Sequence, residues 1–250
     1  MIYYFDGEAT RPQQFNSWAD WESQNLLAGP LDYWQYGPAR FTVASIHNSD
    51  ITTDVFMSHD CDGTPAQEMS RADANRMLDY LWTSHQKGDK IFTWNGTGFD
   101  WRMLAANTGE LDACVELALT SYDPAFQVLC IKGMMPSLDG VLSGFGLPNK
   151  PMKGSKAPEK WENGEFNEVV QYVISDTTNL RAVVGKIAKN YGVRWIAHSG
   201  NMNFVPFAQG FLTVEECLTL PKPNVAWMTT PMLREHVIRW FTHREEWENE

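Results

Sequence analysis

The stretch MIYYFDGEAT, residues 1–10, sets the first element of the fold and also carries two acids. Its aromatic and branched residues predict a β-strand. Successive side chains of a strand point to opposite faces, so Asp6 and Glu8 should lie on the same face. Two carboxylates at this spacing repel each other, and water, basic neighbours or a divalent cation must offset that repulsion. The rest of the sequence decides among these three.

Length and charge limit the classes of protein to consider. The chain has 250 residues, of which 43% are hydrophobic and 20% charged, and its formal net charge is −11. This composition is typical of one large folded domain, or of a domain with an appendage, and not of a disordered chain. The negative charge argues against a broad phosphate-binding surface, since sequence-independent binding of nucleic acids relies on many lysines and arginines. An enzyme that holds one strand end through bound metal ions is compatible with it.

Cysteine spacing and apolar segments bear on the location of the protein. Cys61, Cys114, Cys130 and Cys217 are far apart and form no C-x-x-C pair, so we expect buried free thiols in a reducing cytoplasm and no zinc site. No stretch approaches the roughly 20 apolar residues that a membrane helix needs. The N-terminus lacks the basic region and apolar run of a secretory signal. The sequence therefore predicts a cytoplasmic protein with no membrane partner.

Strands predicted early in the chain and helices predicted later indicate an α/β domain. The predicted strands are MIYYF (1–5), RFTVASIHN (40–48), ITTDVFM (51–57) and KIFTW (90–94), of which the middle two form a hairpin. Helices are predicted from a capping Ser70 to Gly88, from 99 onward, at 110–119, 124–132 and 137–143, at 165–190 with Gly192 as its stop, and at 231–247. Because the hairpin interrupts any all-parallel order, we expect a mixed central sheet flanked by helices.

The predicted domain covers residues 1–190 and contains two irregular segments. One is a tryptophan-rich excursion at 9–38, and the other is a loop rich in proline, glycine and lysine at 146–164. Residues 191–250 are expected to form a mostly helical or irregular extension that packs on the same domain.

Two further motifs place acids at the ends of predicted elements. In TWNGTGFD, residues 93–100, a strand ends at a glycine turn and Asp100 falls in the first turn of the next helix, where its charge suits the helix N-terminus. In YVISD, residues 172–176, Tyr172 and Asp176 are four apart on a helix and therefore share a face. Together with the first strand, these motifs give four candidate acids and one tyrosine.

The order of these motifs resembles the DEDD superfamily of 3′–5′ exonucleases, which includes the proofreading domains of DNA polymerases. The shared pattern is D-x-E on a first strand, N-x-x-x-F-D after a central strand and Y-x-x-x-D on a late helix. Tyr172 indicates the tyrosine type, because the histidine type places a histidine five residues before the last acid, where this chain has Gln171. The segments SLDGVLSGFGLPNK (137–150) and GEFNEVVQYVISD (164–176) are similar to stand-alone relatives of the polymerase exonuclease domain.

The resemblance covers about residues 1–190 and implies a fold, a cofactor and a set of site residues. The implied fold is ribonuclease H-like, and the implied cofactors are two Mg²⁺ or Mn²⁺ ions, which prefer oxygen ligands. Asp6 would bridge both ions, Glu8 and Asp176 would bind the ion that activates water, and Asp100 would lie in the outer shell of the second ion. Tyr172 would orient the attacking water.

Five residues near the motifs are further candidates for contacts with the substrate: Gly7, Asn95, Phe99, Lys153 and Lys156. Gly7 has no side chain to block the approach of a terminal nucleotide. Asn95 could equally bind the glycine turn or the substrate, whereas for Phe99 a place in the core is favoured over a contact with substrate. In the loop NKPMKGSK (149–156), Lys150 and the two later lysines could meet phosphates, although solvated lysines are the ordinary alternative.

The sequence therefore predicts a metal-dependent 3′–5′ exonuclease whose partner is the single-stranded 3′ end of DNA or RNA. Two alternatives stay open, namely a phosphodiesterase for very short oligonucleotides and a ribonuclease H-like module that binds without cutting. The choice between DNA and RNA depends on contacts to the sugar 2′ position, which the sequence does not locate.

Overall fold

The structure is a computed structural model, and it describes residues 1–10, 40–197, 199–229 and 231–242. The predicted excursion at 9–38 lies almost entirely outside the described residues. The strands are β1 (Ile2–Ala9), β2 (Phe41–Asn48), β3 (Thr53–Met57), β4 (Lys90–Phe92), β5 (Gly192–Ile196) and β6 (Met202–Pro206). The helices are α1 (Arg71–Gln86), α2 (Asp100–Thr108), α3 (Leu111–Thr120), α4 (Pro124–Lys132), α5 (Leu138–Gly144), α6 (Ala157–Glu162), α7 (Phe166–Asn190), α8 (Val214–Leu218) and α9 (Arg234–Thr242).

The central sheet is mixed, as its sequence pattern predicts. Its strand order is β3-β2-β1-β4. β2 pairs antiparallel with both β3 and β1, and β1 pairs parallel with β4. An isolated parallel bridge between Phe92 and Tyr122 continues the sheet beyond β4. The turn of the β2–β3 hairpin is closed by Asn48, whose side-chain oxygen accepts hydrogen bonds from the backbone N–H groups of Asp50 and Thr52.

Helices cover both faces of this sheet because β1 is apolar on both sides. Phe5 packs with Trp101 of α2 and with residues of α1 and α3 in the largest core cluster. Tyr4 faces the other way and packs with Leu180 of α7. The long helix α7 also contacts β2, where the Ser45 hydroxyl donates a hydrogen bond to the carbonyl of Val173 at 3.0 Å. This bond fixes the first half of α7 on β2, at the residue that pairs with Asp6 of β1.

The C-terminal part contains a hairpin of β5 and β6 that the sequence did not predict, beside helices and irregular segments. Gly192 is also not the helix stop that its position predicts. Tyr191 adopts the left-handed conformation that ends α7, and Gly192 already belongs to β5. A Cβ at Gly192 would lie 2.4 Å from the carbonyl oxygen of Val205, so the glycine serves the close approach of two strands.

The predicted loop at 146–164 contains a 3₁₀ turn (Gly154–Lys156) and helix α6. Burial explains the difference, because Trp161 is almost fully buried and its indole N–H donates to the carbonyl of Ala66 at 3.1 Å. A second difference concerns the cysteines, of which Cys61 is exposed while the other three are buried. Among the described residues, no helix combines the length and apolar character needed to cross a membrane.

Candidate metal centre

Asp6 and Glu8 lie on the face of β1 that α7 covers. The register pairs Asp6 with Ser45 and Glu8 with Val43 of β2, and both acids are half-buried. Gly7 lies between them and points to the opposite face, as strand alternation requires. The end of β1 therefore presents two carboxylates to the underside of the long helix.

Asp176 of α7 completes a group of three acids. One carboxylate oxygen from each of Asp6, Glu8 and Asp176 can be chosen so that all three lie within 4.8 Å of one another. Asp176 is 2% exposed, and its Oδ1 is buried without a hydrogen-bond partner among the described residues. Hard divalent cations prefer such oxygen ligands. The three acids could therefore hold a metal ion, and the free Oδ1 is an atom that such an ion would satisfy.

Asp100 approaches the same place from the other side of β1. It is the first residue of α2, and its Oδ1 accepts a hydrogen bond from the backbone N–H of Gly7 at 3.0 Å. Its carboxylate is not part of the group of three, but it is near enough for its charge to help raise the pKa of Asp6. The structure thus brings Asp100 beside the acids of β1 and ties it to their backbone.

Asp123, which is not among the candidates predicted from the sequence, supports Asp100 indirectly. It is buried and accepts hydrogen bonds from the backbone N–H groups of Asn95 and Thr97, the hydroxyl of Thr97 and the N–H of Phe126, all between 2.9 and 3.1 Å. These bonds fix the glycine turn before α2 and cap α4. Its place directly before a proline is typical of a helix N-cap and was the available signal in the sequence.

Lys150 also belongs to the site, although the sequence does not distinguish it from Lys153 and Lys156 of the same loop. Its Nζ lies 2.6 Å from Asp176 Oδ2 and 3.1 Å from the hydroxyl of Tyr172. Tyr172 is 1% exposed and stands one helical turn before Asp176. The sequence shows three similar lysines in one loop, and nothing in their spacing indicates which one turns inward.

Burial and mutual repulsion shift the pKa values of the acids upward. Burial first, then the charges of Asp100 and Asp176, raise the pKa of Asp6 well above its usual range. Burial and the charge of Asp176 do the same for Glu8. Burial raises the pKa of Asp100 to about 8, although the hydrogen bond from Gly7 opposes the shift. A carboxylate cluster of this kind gains stability from bound cations, because they favour the charged forms.

The pKa of Tyr172 is raised far above its ordinary range. Burial is the main cause, and the charges of Asp176, Glu8 and Asp6 add to it. Without bound cations, these effects favour the protonated hydroxyl, which can donate a hydrogen bond.

The predicted substrate contacts stay predictions, but the structure changes the reasons behind some of them. The missing side chain of Gly7 faces Phe41, whose Cε1 would lie 2.4 Å from a Cβ there, so the glycine meets a packing constraint on that face. Asn95 has a positive φ of 64° and its carbonyl accepts bonds from the N–H groups of Gly98 and Phe99, which makes it part of the turn.

The remaining candidates for substrate contacts are Phe99, Lys153 and Lys156. Phe99 is half-buried and packs against the main core cluster. Lys153 is exposed, and Lys156 is exposed with its Nζ 3.3 Å from Glu159 Oε2. These two lysines are therefore on the surface of the loop whose first lysine, Lys150, enters the acid cluster.

Comparisons with known proteins show a likeness in fold and a likeness in sequence. A family B DNA polymerase from the hyperthermophilic archaeon Pyrobaculum calidifontis matches 74% of this chain with a TM-score of 0.50 and 17% identity. A glucosyl-3-phosphoglycerate synthase from Mycolicibacterium smegmatis is 31% identical over 111 residues, which are 44% of this chain. No protein-family profile matches the chain. The matched part spans 24% of the polymerase chain and 36% of the synthase, so neither likeness extends to a whole relative.

Proposed function

We propose that this chain is a metal-dependent 3′–5′ exonuclease of the tyrosine type of the DEDD superfamily, which hydrolyses phosphodiester bonds at single-stranded 3′ ends. The observation that carries the proposal is the convergence of Asp6, Glu8 and Asp176 within 4.8 Å, although they come from opposite ends of the domain. Asp100, bound to the backbone between the first two acids, and Tyr172, one turn before the last, extend the same pattern.

The fold supports this proposal. The likeness to a family B DNA polymerase covers the larger part of the chain, and a likeness at this identity concerns the fold. The order β3-β2-β1-β4, with β4 parallel to β1 and a further parallel bridge at Tyr122, is what we expect of a ribonuclease H-like sheet. We therefore assign that fold as part of the proposal.

The residues of the site have distinct parts in the proposed reaction. Asp6, Glu8 and Asp176 would hold one divalent ion directly, and Asp100 would contribute to a second one. Two bound Mg²⁺ or Mn²⁺ ions supply charge neutralisation and a water of lowered pKa. Tyr172, one helical turn before Asp176, would orient the attacking water or a phosphate oxygen through its hydroxyl.

Two other functions are outcomes that an experiment can separate from this one, and the likeness in sequence raises a third. A phosphodiesterase for very short oligonucleotides would need few phosphate contacts, which suits a net charge of −11. A binding module would need no cluster of acids with raised pKa values. The partial likeness to the synthase raises glucosyl transfer as a third possibility, but it lends no support to phosphodiester hydrolysis and does not account for the pairing of Tyr172 with the acids.

The test is the degradation of 5′-labelled single-stranded DNA and RNA, each with Mn²⁺ and with EDTA. We expect a ladder of products that shorten from the 3′ end with Mn²⁺ and disappear with EDTA. Asp6→Ala should reduce cleavage below detection, while Asp79→Asn, a change of an exposed acid on α1, should leave it unchanged.

Other results would redirect the assignment. Cleavage restricted to di- to pentanucleotides would favour the short-substrate enzyme, and tight binding of DNA or RNA without cleavage would favour the binding module. Cleavage that survives both EDTA and Asp6→Ala would contradict the proposed site.

A further inference from the structure

Lys150 enters the acid cluster from a loop that is anchored at Lys150 itself and at the preceding Asn149. Its backbone N–H donates to Asp139 Oδ1 at 3.2 Å, and the side-chain oxygen of Asn149 accepts a bond from the Ser143 hydroxyl at 2.9 Å. Both partners belong to α5. The loop is therefore fixed to a helix at the point where the lysine turns inward, which is not the situation of a lysine on a free surface loop.

The ammonium group of Lys150 occupies a place where a divalent cation would be attracted. It forms an ion pair with Asp176 at 2.6 Å, and the side chains of the pair are 17% and 3% exposed. It also lies 5.2 Å from the centre of the Tyr172 ring. The charges of Asp6 and Glu8 act on it as well. A single positive charge thus partly neutralises the same carboxylates that could hold a metal ion.

The two oxygens of Asp176 have different surroundings. Oδ2 binds Lys150, whereas Oδ1 is buried and has no hydrogen-bond partner in the described part of the chain. A divalent ion bound by Oδ1, Asp6 and Glu8 would lie a few ångströms from the ammonium group. Like charges at this separation in a partly dry site repel strongly, and a lysine stem is flexible enough to move away.

We propose that Lys150 is an exchangeable counter-ion of this site, which holds the acid cluster together without metal and is displaced from Asp176 when a divalent cation binds. The inference rests on the metal centre of the proposed function. It adds a competition between Lys150 and the divalent cation for Asp176, which a metal centre does not by itself require. Its consequence is that the chain lowers its own affinity for metal, while it avoids four uncompensated carboxylates in the metal-free state.

The first test compares Mn²⁺ binding by the full chain and by Lys150→Met, measured by electron paramagnetic resonance of free Mn²⁺ without substrate. Removing a positive charge at this distance should tighten binding about tenfold or more. Lys150→Arg keeps the charge and should bind like the unmodified chain. Lys153→Met changes an exposed lysine of the same loop and serves as the matched control for net charge.

A second test uses the unmodified chain and so does not depend on the folding of a variant. Acetylation of lysines is measured by mass spectrometry with EDTA and with Mg²⁺. We expect the labelling of Lys150 to rise several-fold with Mg²⁺, because the ammonium leaves its buried ion pair, while the labelling of Lys153 stays constant. Unchanged or lower labelling of Lys150 would overturn the inference, and so would unchanged or weaker Mn²⁺ binding by Lys150→Met.

The failure of this inference and the failure of the proposed function give different results. If Mn²⁺ binds and Asp6→Ala abolishes the binding, but Lys150→Met has no effect on it, only the counter-ion role is wrong. If metal exchange occurs as described but no nucleic acid is cut, only the proposed reaction is wrong. If neither the unmodified protein nor Lys150→Met binds Mn²⁺, the counter-ion role and the proposed reaction are both wrong.

Discussion

Gly7 illustrates at the scale of one residue how the acids of β1 are kept in place. It lies between Asp6 and Glu8, donates its N–H to Asp100 and turns its missing side chain toward the ring of Phe41. The residue therefore links two of the three motifs through its backbone and permits the close packing of β1 on the core. Neither property follows from the pattern D-x-E.

Gly7→Ala should destabilise the protein, because its Cβ would lie 2.4 Å from Phe41 Cε1 and Phe41 is fully buried. Overpacking of this kind costs about 1–3 kcal/mol of the free energy of unfolding. The control is Gly185→Ala on α7, where a Cβ meets nothing within 4 Å and the better helix former should stabilise by about 0.5–1 kcal/mol. Urea unfolding measures both, and equal effects would contradict the packing at Gly7.

The raised pKa values predict how the stability of the metal-free protein depends on pH. The pKa of Asp100 rises from 3.8 to about 8 on folding, first through burial, and those of Asp6 and Glu8 shift in the same direction. The folded state therefore binds more protons than the unfolded chain between about pH 4 and pH 8. The free energy of unfolding should fall as the pH rises through this window, by up to about 1.4 kcal/mol per pH unit for each such group.

The measurement is urea unfolding in EDTA at pH 5 and pH 8, for the unmodified chain and for Asp100→Asn. The variant cannot ionise at this position, so its stability should fall less between the two pH values. Saturating Mn²⁺ should also reduce the loss, since the ion favours the charged acids. A metal-free protein that is more stable at pH 8 than at pH 5 would show that the acids are not crowded as described.

At the scale of elements, the glycine turn between β4 and α2 decides where Asp100 points. Asn95 takes the left-handed conformation, and Asp123 binds the N–H groups of Asn95 and Thr97 from the start of α4. The glycine turn and helix α4 thus share one buried carboxylate. The turn is fixed from outside, because its own short sequence contains two glycines and little rigidity.

Asp123→Ala should cost about 2–4 kcal/mol of the free energy of unfolding, because several buried donors lose their acceptor and α4 loses its cap. Ser137→Ala is the matched control, since Ser137 caps α5 by accepting from the N–H of Gly140 and has no second duty toward a turn. It should cost about 1 kcal/mol. Chemical denaturation of both variants decides the question. If the two costs are equal, Asp123 is an ordinary helix cap.

At the scale of the whole molecule, the C-terminal residues are part of the packing around the site. Trp240 of α9 is 1% exposed, and its indole N–H donates to the carbonyl of Thr97 in the glycine turn at 2.8 Å. Phe241 lies beside it with the ring centres 5.0 Å apart. The end of the described chain therefore contacts the turn that presents Asp100, more than 130 residues earlier.

Trp240→Ala should destabilise the protein by about 3–5 kcal/mol, because it leaves a large cavity and removes a buried hydrogen bond. Trp227→Ala is the control, since Trp227 is 67% exposed and its change should stay within about 0.5 kcal/mol. Thermal and urea unfolding of both variants test this. A small effect of Trp240→Ala would mean that α9 contributes little to the stability of the domain.

The sequence by itself predicted most elements of the central domain and four candidate acids. Alternation predicted the shared face of Asp6 and Glu8, and helical spacing predicted the shared face of Tyr172 and Asp176, because both periods are properties of the local backbone. The mixed sheet followed from a hairpin that a short turn specifies. All of these features depend on neighbours within a few residues, so local reasoning reaches them.

Only the tertiary structure decided which distant groups meet. The inward turn of Lys150, the double role of Asp123, the β5–β6 hairpin and the contact of Trp240 with the turn all join segments that lie far apart in the chain. Such contacts depend on the three-dimensional arrangement of all the elements and leave no periodic signal. Lys150 and Lys153 have the same side chain in the same loop. The anchoring of that loop on α5 places Lys150 in a buried ion pair, whereas Lys153 is exposed.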